Sequence, residues 1–162
     1  MPPAGRESLF AALFALLETV APFAFTTRLW QSWDDTPPAE KPAMFMTKGP
    51  EDSTPKLPLP ALRRYTARLV MYFSAGGPQG RSTPPSTQIN NALDALDAAL
   101  ALQAGEAPSP VARFAPPTLG AATTLGGLCY GVAIDGAVET LEGIADGGDA
   151  MCIVNLVVFT TA

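Results

Sequence analysis

Apolar and polar positions alternate along this chain with two different periods, and the period divides it into elements. From Ser8 to Val20, Leu9, Leu13, Leu16, Leu17 and Val20 recur at helical spacing, with Ser8 placed to cap the helix and Pro22 just past its end. Phe10, Phe14 and the alanines between them make this helix apolar nearly all round. Such a helix is expected to be buried on more than one side, the second against a neighbouring copy. Phe23 to Trp30 (FAFTTRLW) is aromatic and β-branched and predicts a strand, and Ala43 to Thr47 (AMFMT) predicts a short second one. The segments that follow them, SWDDTPPAEKP and GPEDSTPKLPLP, read as loops, and the four prolines between Pro50 and Pro60 argue against regular pairing there.

Arg63 to Phe73 is the clearest strand. Tyr65, Ala67, Leu69 and Met71 fall on one face, and Arg64, Thr66 and Arg68 begin the other. Residues 87 to 102 predict a second, amphipathic helix, capped by Ser86 or Thr87, with Ile89, Ala92, Leu93, Leu96, Ala99 and Leu100 inward and Asp94 and Asp97 outward. A proline-rich loop from Gln103 to Pro117 leads to two closing strands, LCYGVAIDGAV and AMCIVNLVVF, joined by an acidic turn. Both are apolar on both faces and so read as central. The order α-β-β-β-α-β-β predicts one α+β domain over residues 1–162, a largely antiparallel mixed sheet of about five strands with two helices packed on it.

Charge changes the picture in one respect. The net charge is −5, and residues 1–93 hold nine Lys or Arg against seven Asp or Glu, while residues 94–162 hold one Arg against eight acids. So few cations do not suit a protein that grips nucleic acid through phosphates. The split would suit copies meeting basic half to acidic half, and it equally suits plain solvated surface. The absence of histidine removes Ser–His–Asp and Cys–His triads and most transition-metal sites. Cys129 and Cys152 lie in apolar runs without CxxC spacing and read as free buried thiols. No stretch reaches the roughly 18 apolar residues of a membrane span. Arg6 followed by LFAALFALL resembles a short signal peptide, but Glu7 and Glu18 bracket the run, and secretion is not expected.

The chemical motifs are weak. AGGPQGRS (75–82) lies between a strand and a helix, as a phosphate loop would, yet Ala75 replaces the first glycine and Arg81 the lysine, and Pro84 and Pro85 separate it from the helix. A turn is the simpler reading. Asp34-Asp35, Glu51-Asp52 and Asp94 with Asp97 are carboxylate pairs in polar settings, without the apolar surroundings that raise a catalytic carboxyl. Asp146 and Asp149 in a DGGD turn make too few ligands for a calcium loop. Trp30 and Trp33 flank a loop and suit either a partner anchor or core packing. TLGGLCYG (124–131) lacks GxGxxG spacing and runs into a strand, so it reads as a tight turn.

Taken in order, ESLFAALFALL, FTTRLW, KPAMFM, RYTARLVMYF, INNALDALDAAL, TLGGLCYGVAIDG and AMCIVNLVVF resemble the tail-terminator family of long, non-contractile-tailed phages. PAMFM, the LVMY strand and TLGG before a strand are the most telling pieces, and none is a catalytic signature. The resemblance implies a small α+β virion protein, not an enzyme and without cofactor or metal. It would assemble as a hexameric ring in the host cytoplasm, cap the tail tube at the head-proximal end, meet the head connector or stopper protein, and let genomic DNA pass without specific binding or membrane contact. A head-side stopper ring and a non-viral cytosolic binding domain remain alternatives. The expected subunit interface is Phe10, Phe14 and Leu17. The expected partner-contact loops carry Trp33, Asp34, Asp35, Lys41, Glu51, Asp52 and Lys56. The expected channel-lining acids are Asp135, Glu139, Glu142, Asp146 and Asp149.

Overall fold

Two helices lie on one face of a mixed sheet in a computed structural model that describes residues 4–54, 62–74, 84–109, 121–144 and 149–161. Helix α1 (Arg6–Leu17) starts two residues earlier than the periodicity suggests, after an extended Gly5, and Ser8 lies inside it rather than capping it. Its last turn closes where the Glu18 N–H donates to the Phe14 carbonyl at 3.0 Å and the Thr19 hydroxyl donates to the Leu16 carbonyl at 2.7 Å. Helix α2 (Pro85–Leu100) has Pro85 in its first turn, where the missing amide costs nothing, and Ser86 and Thr87 fall within it. Leu9, Phe10, Leu13 and Leu17 of α1 and Ile89, Ala92, Leu96 and Leu100 of α2 are buried in one core.

The sheet has six strands rather than about five: β1 (Phe25–Thr27), β2 (Ala43–Thr54), β3 (Leu62–Phe73), β4 (Gly131–Ile134), β5 (Glu139–Ile144) and β6 (Asp149–Thr161). Their order is β1-β2-β3-β6-β4, with β5 also paired to β6, and only the β1–β2 pair is parallel. The first strand is three residues long, much shorter than Phe23 to Trp30. The second is much longer than Ala43 to Thr47 because pairing continues through Gly49 and Pro50 at a register shift between Lys48 and Glu51. An irregularity of this kind leaves an amide unpaired, which is where a strand can hold proline. The Thr66 hydroxyl donates to the Pro50 carbonyl at 2.6 Å, and a Cβ on Gly49 would stand 2.4 Å from that hydroxyl oxygen, so a larger residue there would have to push the Thr66 side chain off this bond.

The closing region also departs from expectation. Three strands stand where two were read, and only β6 is central. β4 and β5 follow one another along the same edge of β6. Ile134 pairs with Leu156 and Glu139 with Ile153, so residues 135–138 span the length of just Asn155 and Val154. Gly136, at φ 80°, helps absorb the excess, and the Asp135 N–H still donates to the Asn155 carbonyl at 2.8 Å.

Period-two alternation separates two cores. Met44, Met46, Leu69, Met71, Cys152, Val154 and Leu156 face the helices. Ala43, Phe45, Val70, Tyr72 and Ile153 face the other way, with Phe25, Trp33 and Met151 packed against them.

Candidate interaction surface

Among the described residues no helix covers the outer face of the sheet; aromatic side chains from the segment after β1 do. Phe45 on β2 and Tyr72 on β3 stand 5.2 Å apart between ring centroids. Trp33 meets Tyr72 edge-on at 4.9 Å, and Trp30 reaches Phe45 at 6.3 Å and Tyr72 at 6.4 Å. The Tyr72 hydroxyl donates to the Gln31 carbonyl at 3.1 Å, which ties the segment to the sheet. Edge-to-face geometry puts the positive rim of one ring on the negative face of another.

Beneath this roof lies a charge. The Lys41 side chain is only 5% exposed, its Nζ sits 3.4 Å from the Trp33 ring centroid, and Asp149 Oδ2 is 3.9 Å away. Burial lowers the Lys41 pKa from its ordinary value, while Asp149 and Asp34 oppose that shift. The ring face partly replaces lost water, as a cation–π contact does.

The cover is incomplete. Leu29 is 77% exposed, Trp30 56% and Leu141 54%, the exposed large hydrophobic side chains among the described residues. Ala43, Tyr72, Met151 and Leu141 form one row across β2, β3, β6 and β5, so an apolar band runs from the Trp30 cluster to the β5 edge. Asp34, Asp35 and Glu139 are exposed around it.

The sequence-predicted residues are distributed differently from expectation. Phe10 and Leu17 are buried in the chain's own core, which leaves Phe14, half-buried, as the one partly accessible member of that set. Lys41 is not a surface contact, because Trp33 and Asp149 enclose it. Glu51 and Asp52 belong to β2 rather than a loop. Arg6 holds Glu51 at 2.7 Å, and this hydrogen bond, with help from Lys48, keeps its carboxyl below the ordinary value. Trp33, Asp34 and Asp35 do belong to the outer-face segment, while Lys56 lies outside the described residues.

The described acids of the closing region make no continuous band within one subunit. Asp135 pairs with Arg64 at 3.3 Å, and Asp149 with Lys41. Glu139 and Glu142 are exposed on β5 and face opposite sides of the sheet, because they stand three residues apart in a strand. Asp146 and the AGGPQGRS string lie outside the described residues.

Sequence reasoning missed Glu106. One of its carboxylate oxygens accepts from the Thr123 hydroxyl (3.1 Å), the Thr124 N–H (3.2 Å) and hydroxyl (3.1 Å) and the Gly126 N–H (2.9 Å), and the other accepts from the Gln103 N–H (2.8 Å). Burial alone would raise this carboxyl; the Gly126 and Gln103 amides and the two threonine hydroxyls hold it below the ordinary value instead. Leu125, Gly126 and Gly127 have φ of 52°, 71° and 90°, which turns the loop's donors onto one point. The paired glycines of TLGG were the available signal.

Burial pushes the Cys129 thiol to about 12 and Cys152 to about 11, so neither is a thiolate near neutrality. Among the described residues no group of three or more His, Cys, Asp or Glu could hold a metal ion. No helix there is long and apolar enough to cross a membrane. Neither the models of known protein families nor the curated proteins contain a match to this chain.

Proposed function

We propose that this chain is a structural ring subunit of a phage tail, a terminator that caps the tail tube and joins it to the head connector around a passage for DNA. The observation that carries the assembly part of this reading is the apolar band of Trp30 and Leu141 on the helix-free face of the sheet. Exposed apolar surface rimmed by polar residues is what protein–protein contacts use. The tail assignment itself comes from the ordered strings PAMFM, LVMY and TLGG.

Native mass measurement tests it, with the chain alone and with tail-tube protein. A closed oligomer that binds tube ends and stops their elongation is the expected result. A chain that stays monomeric at every concentration and leaves tube growth unchanged overturns the proposal. A ring that ignores tubes but binds the head-side connector makes it a stopper.

A further inference from the structure

We infer that the outer face of the sheet pairs with the same face of a second copy across a two-fold axis, with Trp30 near the axis and Arg68 opposite Glu139 of the other copy. The pairing rests on the self-assembling reading above and deepens it, because it names the surface, the occupant and the symmetry.

The face has an apolar centre and unpaired charges of both signs. Trp30 is 56% exposed over Phe45 and Tyr72, and the half-buried Met151 and exposed Leu141 continue the apolar surface across β6 and β5. Arg68 stands on the same side of β3 as Val70 and Tyr72, exposed between Thr47 and Asn155. Glu139 stands on that side of β5, opposite Ile153, and is exposed too. Among the described residues neither Arg68 nor Glu139 is in an ion pair. The other charges of this face have company. Arg64 pairs with Asp135 and has Asp52 beside it at the far end of the strands, Asp34 offsets the enclosed Lys41, and Asp35 accepts from the Ser32 hydroxyl.

A surface that carries an unpaired cation and an unpaired carboxylate around an apolar centre is its own complement. In a two-fold contact residue i meets j while j meets i. One axis midway between Arg68 and Glu139 therefore makes two ion pairs at once, which a foreign surface would have to match at both signs.

The sheet register says where that axis falls. Glu139, Ile153 and Val70 lie in one row, so Glu139 is two strands and two residues away from Arg68, about 12 Å at the usual spacings. An axis lying in the interface and bisecting that separation crosses β6 between Ile153 and Asn155 and runs on past Tyr72, beneath Trp30. Two Trp30 side chains then meet near the axis, and Met151 of each copy comes over Phe45 of the other. The charges fall outside this apolar centre, where the long arginine and glutamate side chains span the rim, the ordinary anatomy of a protein–protein contact. A two-fold contact closes at two copies, so a ring of this chain uses a second surface as well.

Sedimentation equilibrium of the full chain tests the pairing. The parent should associate as pairs or assemblies of pairs. Arg68→Glu and Glu139→Arg each set like charges against one another at two places and should weaken the pair about tenfold or more, and the double variant should recover most of that loss. Trp30→Ser should weaken association by a similar factor in the parent and in the double variant. Unchanged association in Trp30→Ser and Arg68→Glu, or loss in both charge variants without recovery in the double one, rejects the two-fold pairing and leaves the ring reading standing. A parent that stays monomeric alone but binds tail-tube protein through Trp30 gives the face to that partner and also rejects the pairing. A parent that stays monomeric under both conditions rejects the pairing and the ring reading together.

Discussion

The two faces of the sheet are closed by different means. On the helix side, α1 and α2 lay continuous apolar stripes over Met44, Leu69, Met71, Cys152 and Val154, all at or near zero exposure. On the outer side, a handful of aromatic rings from one irregular segment cover Phe45 and Tyr72 and stop short of Leu141. Each side also holds one enclosed charge. Glu106, beside the helix-side core, has five donors, while Lys41, under the outer face, has a ring and a carboxylate 3.9 Å away. One face is closed by the two helices, and the other is left partly open.

Breaking the helix side should cost most. Leu13→Ala removes a side chain with 0% exposure and should destabilise the chain by about 3 kcal/mol in denaturant unfolding. A loss under about 1 kcal/mol would mean the helices contribute little more than the outer cover.

The enclosed carboxylate comes next. Glu106→Ala strands donors of Thr123, Thr124 and Gly126 and should cost about 2 kcal/mol. Because the folded-state value lies below the ordinary one, this stabilisation is present above the ordinary carboxyl range and is lost as pH falls through the lowered value. Hydrogen exchange at the Thr124 and Gly126 amides reports it directly: protection should drop in the variant, and unchanged protection would remove Glu106 from the loop's support.

The enclosed lysine gives a smaller effect with the same sign in pH, although here it is the charged form that folding disfavours. Its lowered pKa means the unfolded chain binds a proton more readily than the folded one. Stability should therefore rise with pH between the lowered value and the ordinary 10.5. Lys41→Met should flatten that rise; a variant with the parent's pH dependence would place the titration elsewhere.

The smallest effect on folding belongs to Trp30. Trp30→Ser should change unfolding stability by about 0.5 kcal/mol, since the ring is more than half exposed. A loss of several kcal/mol would make Trp30 part of the cover rather than part of the open surface.

Much of this arrangement could be read in the residues, and the failures share a cause. Both helices and β3 were legible because each carries a sustained period over ten or more residues. The continuation of β2 was not, because Gly49-Pro50 has the chemistry of a turn and only Thr66, on the next strand, makes a bulge of it. β5 (ETLEGI) was taken for part of a turn because an edge strand exposed on its flanks has little apolar alternation to show. The stretch holding Trp33, Asp34 and Asp35 was legible as a loop from its polar, proline-bearing composition. The ion pair of Lys41 was invisible, since its partner Asp149 lies more than a hundred positions away. Glu106 likewise draws four of its donors from Thr123 to Gly126. Local periods announce elements; contacts between distant loops leave no period.

The broken edge formed by β4 and β5 bears on how the chain keeps in concentrated solution. A fibril grows by adding identical strands in register, and a segment of six or seven residues is enough to template it. Here an incoming strand would find four residues of β4, then the excess loop at 135–138, then β5 with exposed Glu139 and Glu142 and a second irregularity at Gly143. The ladder is interrupted before a template of that length is complete, and stacking copies would bring like charges together. The chain at high concentration should therefore resist seeding along this margin.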